Sequence, residues 1–421
     1  MRARQAIRLR DSSPAQIGYF LAKWLLLPLG RAWRRRLTRT LVIAVTGSGG
    51  KTTTKDLIAG TLRSRFEGTS TRGTCNRSKS MVRTLAVTRP WHRFAVFELA
   101  AFQPGSLDEL LWTLEPDVGV VTAVGLEHYA KFRSIEAVAR EKASLVRALP
   151  RHGLAVLNAD DPVVRAMAAE SPAPVVLVGL SADATLRAEN VTSSWPDGLA
   201  FDVVADGRRT RVRTRLFGEH WTTAALAALA VARHAGLSLE EAAAALETVS
   251  PPQRRLSETR LASGITFLED NWKAPLWSID RALAVLKSAR ANRRVLVLGQ
   301  LSDYPGQPRR VYPRVVQAAL GAADLIVCVG QWSHHGTRVQ APAGVVHAFP
   351  TLHQAHEFLL RELRAGDLVL LKSNLTDHTE RLALARMSEE FRCWRQGCGR
   401  NNHCSVCDLR AVPHKPPPGP S

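Results

Sequence analysis

Short apolar runs alternate with segments of helical spacing from residue 41 onward. Leu41–Val45, Phe94–Phe97, Val118–Thr122 and Leu154–Leu157 are runs of four or five residues, the length of buried strands. Residues 52–65, after the first run, space their apolar positions as a helix does. Nearly continuous apolar strands between helices predict a parallel sheet covered on both faces, an α/β fold. Residues 185–216 follow another pattern. Short alternating stretches flank P-D-G at 196–198 and A-D-G at 205–207, which predicts an antiparallel patch. A helical pair over 221–235 and 239–248 follows, and Pro251-Pro252 punctuates the chain. The α/β alternation then resumes with strands expected at Ile265–Leu268, Arg294–Leu298, Leu325–Val329 and Leu368–Leu371.

The expected organisation is a basic, apolar extension over 1–40, a central domain over 41–250, a smaller Rossmann-like domain over 251–390 and a Cys-rich basic tail over 391–421. No internal repeat of fixed period appears. No run approaches the ~18 apolar residues of a membrane span. Residues 17–29 are apolar apart from Lys23 and carry Arg on both flanks, too short to cross a bilayer. The segment reads first as a helix docked on its own protein. The alternative is peripheral contact of residues 17–39 with anionic lipid.

The chain has 57 basic residues against 37 acidic ones, a net +20. Such charge invites a nucleic-acid reading. Residues 1–40 hold nine Arg, Lys23 and one acid, Asp11, and the tail holds five bases and Asp408. The ends therefore carry +9 and +4, leaving +7 on the 350 residues between. A nucleic-acid partner is not expected. Cys75 and Cys328 are isolated, whereas four cysteines crowd into 393–407, which reads as an intracellular, cytoplasmic protein with one local cluster.

The stretch T-G-S-G-G-K-T-T-T at 46–54 lies between a strand and a helix start. Gly47, Ser48, Gly49 and Gly50 let backbone N–H groups close around phosphates, with Thr53 in the first helical turn. Lys51 can neutralise β/γ-phosphates, and Thr52 can hold Mg²⁺. Two residues separate Gly47 from Gly50 where the usual motif has four. Glu98 ends a strand run, where an acid lies beside such a loop and can hold the metal. His128 and Asn158 also follow strand runs, and Lys142 sits in a helical stretch. Taken alone these three read as a structural histidine, a capped turn and a solvated lysine.

In this order the pieces resemble the Mur ligase family, ATP-dependent enzymes that join amino acids or dipeptides to a carboxylate in peptidoglycan assembly. The resemblance spans about 41–388 and looks nearest the branch adding D-alanyl-D-alanine. It rests on 46–54, Glu98-Leu99, Gly125–His128, Lys142, Leu157–Pro162, Gly218-Glu-His220, Arg255-Leu256 and E-D-N-W-K-A-P at 269–275. It implies ATP and Mg²⁺ as cofactors, held by Lys51, Thr52, Glu98 and His128. Asn158 would contribute to the nucleotide site. Lys142 matches a lysine that several members carbamylate, which requires a neutral amine and hence burial. Arg255, Asp270 and Lys273 would close over the nucleotide from the C-terminal domain. The implied reaction phosphorylates a carboxylate, after which an amine attacks the acyl phosphate. The partners are therefore small-molecule or peptide acids and amines; the oligomeric state is not indicated.

The sequence also departs from the family. Ala224 stands where the family has an adenine-contacting Asn, Ser144 replaces the Glu of Lys-x-Glu, and Lys-Gly-Ser becomes K-S-N at 372–374. Forty residues before the loop cannot build the domain that grips a UDP-sugar, so the expected acid is not a UDP-muramyl peptide held in the usual way. A poly-glutamate-type ligase and a catalytically weak binding homologue are the alternatives. Cys393, Cys398, Cys404 and Cys407 suit tetrahedral Zn²⁺, with His403 as a substitute ligand, against unligated thiols or an iron–sulfur cluster.

Overall fold

The computed structural model describes residues 25–125 and 132–412. His128 and part of the apolar N-terminal segment lie outside them. Tight Cα packing divides the chain into two units, the first comprising 1–191, 200–214 and 221–249 and the second 192–199, 215–220 and 250–421. The Cys-rich tail thus belongs to the second unit.

One sheet has nine strands: β1 (Leu41–Thr46), β2 (Gly68–Ser70), β3 (Phe94–Glu98), β4 (Val118–Val121), β5 (Leu154–Asn158), β6 (Val175–Gly179), β7 (Leu186–Ser194), β8 (Gly198–Ala205) and β9 (Arg208–Arg213). Their spatial order is β2-β3-β1-β4-β5-β6-β7-β8-β9. Pairing from β2 to β7 is parallel, and β8 pairs antiparallel with β9. β1 lies between β3 and β4, so its neighbours are reached by connections to opposite sides. The crevice beyond its carboxyl end is the switch point where open α/β sheets bind ligands. Strand β3 is buried throughout, with apolar Phe94–Phe97 ending in Glu98 at the same crevice.

The second sheet runs β10 (Ser257–Arg260), β11 (Thr266–Asp270), β15 (Asp367–Lys372), β12 (Arg293–Leu298), β13 (Leu325–Val329) and β14 (Val346–Phe349). All but β10 are parallel to their neighbours. The carboxyl ends of β11 and β15 place Asp270 opposite Lys372 in register.

Residues 25–34 form a helix docked on the first unit. Arg34 Nη2 pairs with Asp117 at 2.9 Å and also donates to the Glu115 carbonyl, and Asp117 in turn accepts the Val42 N–H at 2.8 Å. Arg31 and Arg35 both pair with Glu115. Leu27 and Leu37 are buried, whereas Leu25 and Leu29 are exposed. Among the described residues no helix is long and apolar enough to cross a membrane.

Candidate active site

The helix Lys51–Arg63 starts without a side-chain cap, behind Gly50 in the left-handed region at φ 78°. Its first N–H groups are the unsatisfied donors of a helix start, with the positive end of the dipole behind them. Gly47 has φ 145°, and a Cβ there would lie 1.9 Å from Thr122 Oγ1, so only glycine fits. The loop is braced from β4's end. Thr122 Oγ1 donates to the Gly49 carbonyl at 2.5 Å, while Ser48 Oγ donates to the Gly125 carbonyl at 2.9 Å. Asn158 Nδ2 donates to the Thr122 carbonyl at 2.9 Å, so Asn158 acts on the loop through Thr122.

Lys51 Nζ donates to the Gly47 carbonyl at 2.6 Å, which folds the ammonium over the loop. Thr52 Oγ1 donates to Glu98 Oε2 at 2.8 Å in a buried setting. The other oxygen, Oε1, accepts from Asn76 Nδ2 at 3.0 Å. Asn76 lies in no motif the sequence singles out; the structure makes it the clamp on the acid. Its loop is anchored by Lys55, fully buried, whose Nζ donates to the Thr71 and Gly73 carbonyls and pairs with Asp56 at 2.8 Å. Burial pushes the Asp56 carboxyl above its ordinary range, although Lys55 pulls the other way. Nothing in the T-K-D spacing distinguishes Lys55 from a solvated helix lysine.

A hydroxyl and a carboxylate side by side next to a phosphate loop form the hard oxygen set that suits Mg²⁺. The loop's glycine geometry fits a bound polyphosphate. Lys142 is fully buried on the helix Ile135–Arg147, contrary to a solvated lysine. The neighbouring Glu141 accepts the Gly105 and Leu107 N–H groups, each at 2.7 Å, and so caps the helix Ser106–Leu114. This contact ties the two helices together and sets the depth at which Lys142 sits.

In the second unit Asp270 pairs with Lys372 at 2.6 Å, and Lys372 also donates to the Lys273 carbonyl. Lys273 itself is exposed. Arg255 is half-buried, and its predecessor Arg254 is the buried arginine, paired with Glu380 at 2.5 Å. Burial, reinforced by Arg281, holds the His220 imidazole down at about 4 and therefore neutral.

The four tail cysteines do not form the expected tetrahedral set. Among the described residues, the group whose ligand atoms all lie within 4.8 Å of one another is His378, Glu380 and Cys404. Cys407 faces its neighbour Asp408 at 3.7 Å, and His403 is engaged with Glu269 at 3.1 Å and Ser405 at 2.7 Å. A cavity of about 380 Å³ opens elsewhere in the first unit, at the amino ends of β1 and β3, lined by Arg34, Arg39, Arg93 and Asp117. It lies at the opposite ends of those strands from the loop.

A glycine loop at a sheet switch point, joined through Thr52 to a clamped carboxylate, defines a P-loop nucleotide-binding protein of the phosphoryl-transferring kind. The family model described as Mur ligase middle domain matches residues 45–232. The UDP-N-acetylmuramoyl-tripeptide–D-alanyl-D-alanine ligase of Mycobacterium tuberculosis H37Rv is 32% identical, over 79% of this chain and 70% of that protein. The Escherichia coli K12 protein of the same name is 29% identical, over 72% and 67%. Among solved structures, the UDP-N-acetylmuramoylalanyl-D-glutamyl-2,6-diaminopimelate–D-alanyl-D-alanyl ligase of Acinetobacter baumannii matches with a TM-score of 0.77 at 26% identity, covering 87% of this chain and 79% of that one. The chain belongs to the Mur ligase family, ATP-dependent enzymes that form amide bonds.

Proposed function

We propose that this protein activates a carboxylic acid with ATP as an acyl phosphate and transfers the acyl group to an amine, releasing ADP and phosphate. The observation that carries the reading is the chain of contacts from Thr52 to Glu98 to Asn76 beside the phosphate loop. The relatives' names point to a D-alanyl-D-alanine-type dipeptide as the amine.

The acid and the γ-phosphate are both anions, and bringing them together is the electrostatic problem of the reaction. Lys51 and the N–H groups at the start of helix Lys51–Arg63 supply fixed positive charge there. Bound Mg²⁺ would neutralise phosphate oxygens and stabilise the charge that develops during transfer. Thr52 and Glu98 would hold it, with Asn76 keeping Glu98 aimed. Lys142, buried as carbamylation requires, would present a carbamate oxygen as a further anionic ligand. For Arg255, Asp270 and Lys273 we propose the nucleotide roles that the resemblance implies.

The test supplies ATP, Mg²⁺ and hydroxylamine with a panel of acids, trapping acyl phosphate as hydroxamate. One acid should give hydroxamate and stoichiometric ADP, and Lys51→Ala should abolish both. No acid-dependent ADP release with any member of the panel, together with a Lys51→Ala variant that behaves like wild type, would leave a binding protein in place of a ligase.

A further inference from the structure

The turn that carries Arg255 has an uncommon backbone on both sides of it. Arg254 has φ 64° and Leu256 φ 56°, so each neighbour of Arg255 lies in the left-handed region that favours glycine. Neither has the short polar side chain that stabilises this region locally, so contacts from elsewhere have to hold the conformation. Leu256 is 2% exposed and sits in one core cluster with Leu268 and Leu370. The Arg254 N–H donates to Ser257 Oγ at 2.9 Å and the Arg255 N–H to the Pro252 carbonyl at 3.1 Å, which closes the turn.

Arg254 is the anchor. Its buried guanidinium pairs with Glu380, and Nη1 and Nη2 also reach the carbonyls of Asn401 and Asn402 in the Cys-rich tail, at 3.4 and 3.3 Å. Glu380 divides its two oxygens. Oε1 accepts from Arg254 Nη2 and from the Cys404 N–H, the latter at 3.3 Å, while Oε2 accepts from Asn271 Nδ2 at 2.9 Å. Burial works against ionisation of this carboxyl, but His378, Arg254 and His403 outweigh it and hold the group well below its ordinary range. Asn271 is fully buried and directly follows Asp270, so one carboxylate ties the residue before Arg255 to the residue after Asp270. The tail is pinned at the same place, since His403 Nε2 meets Oε2 of Glu269 at 3.1 Å.

We propose that Arg254 is a positioning residue for nucleotide binding: locked by Glu380 and by the tail carbonyls at 401 and 402, it sets the strained turn that aims Arg255. The proposal rests on the nucleotide role given above to Arg255. A buried ion pair adds little stability over apolar packing of the same volume; what this one adds is a single geometry for the turn. A guanidinium suits the task because its fork serves a carboxylate and two carbonyls at once, whereas an ammonium offers one point of charge. The Cys-rich tail then belongs to the ligase machinery as part of the clamp, and Asn271 carries the same constraint to Asp270.

A double-mutant cycle on the full-length protein, read as equilibrium affinity for MgATP, separates aiming of Arg255 from general support of the fold. Arg255→Ala should weaken MgATP binding about tenfold. Arg254→Met should weaken it by a similar factor in the wild-type background but by less than about twofold in the Arg255→Ala background, where the residue it aims is gone. Arg254→Lys, which keeps a cation beside Glu380 without the fork, should recover part of the affinity lost in Arg254→Met. Should Arg254→Met fail to fold, Arg254→Lys and Glu380→Gln take its place in the cycle, each with a smaller loss that again disappears without Arg255. Equal losses in both backgrounds, or wild-type affinity in Arg254→Met, would overturn the proposal and leave Arg255 in its nucleotide role. Wild-type affinity in Arg255→Ala would remove that role and the positioning proposal with it.

Discussion

Lys55 Nζ donates to the Gly73 carbonyl at 2.9 Å, and three residues further on Asn76 holds Glu98. A fully buried ammonium one turn after Lys51 thus sets the loop that aims the proposed metal-binding carboxylate. Lys55→Met leaves Asp56 and two carbonyls without their cation, at a cost of about 3 kcal/mol. The variant should melt several degrees lower and, where it remains folded, show a raised KM for MgATP. Unchanged melting and kinetics would mean that the loop holds itself.

Thr52 and Glu98 share one hydrogen bond, so removing either should disturb the same property. Glu98→Gln and Thr52→Val should each raise the Mg²⁺ concentration needed for half-maximal turnover, and Glu98→Gln should lower kcat by about two orders of magnitude. A Mg²⁺ titration of ADP release checks both.

Gly47→Ala puts a methyl group into Thr122 Oγ1 and strains a backbone at φ 145°. Nucleotide affinity should fall at least tenfold by equilibrium binding. Thr122→Ala on that background should recover only part of the loss, because the clash is relieved and the strain remains.

Fully buried Lys142 is the position to examine for carbamate. With ¹³C-bicarbonate, wild-type protein should show a carbamate resonance that Lys142→Ala lacks, and bicarbonate-depleted buffer should lower activity reversibly. A spectrum identical for the two proteins would end that reading.

Burial holds the imidazoles of His220 and His356 down at about 4, helped by Arg281 and Arg386 respectively. In the unfolded chain both protonate near pH 6.5. The folded values are the lower ones, so the stabilisation is complete above about pH 6.5 and drains away as pH falls toward about 4. Urea midpoints should follow that course, and His356→Leu should flatten it.

Interior strands were legible because burial on both faces leaves an uninterrupted apolar run, as in β1, β3, β4 and β5. β2, β10 and β14 are sheet edges, short or half-buried, and carry no such signal. β6 is interior and apolar, and the named runs skip it without a physical reason. The phosphate loop and Glu98 could be read from local order, since each follows its own strand. Asn76, Lys55, Arg254 and Glu380 could not. Their roles come from partners far along the chain, and a residue such as Glu380 shows its nearness to Arg254 only after β15 has returned beside β11.

The arginines at 31, 34 and 35 are already spent on Glu115 and Asp117. Three of the five arginines between residues 25 and 40 are therefore paired with acids of the domain. A truncation beginning at residue 41 would remove a strap: it would bare two acids at the foot of β4 and take a salt bridge away from the carboxylate that caps the first strand. Residues 25–40 belong to the folded domain, and any shortened form of this ligase has to keep them.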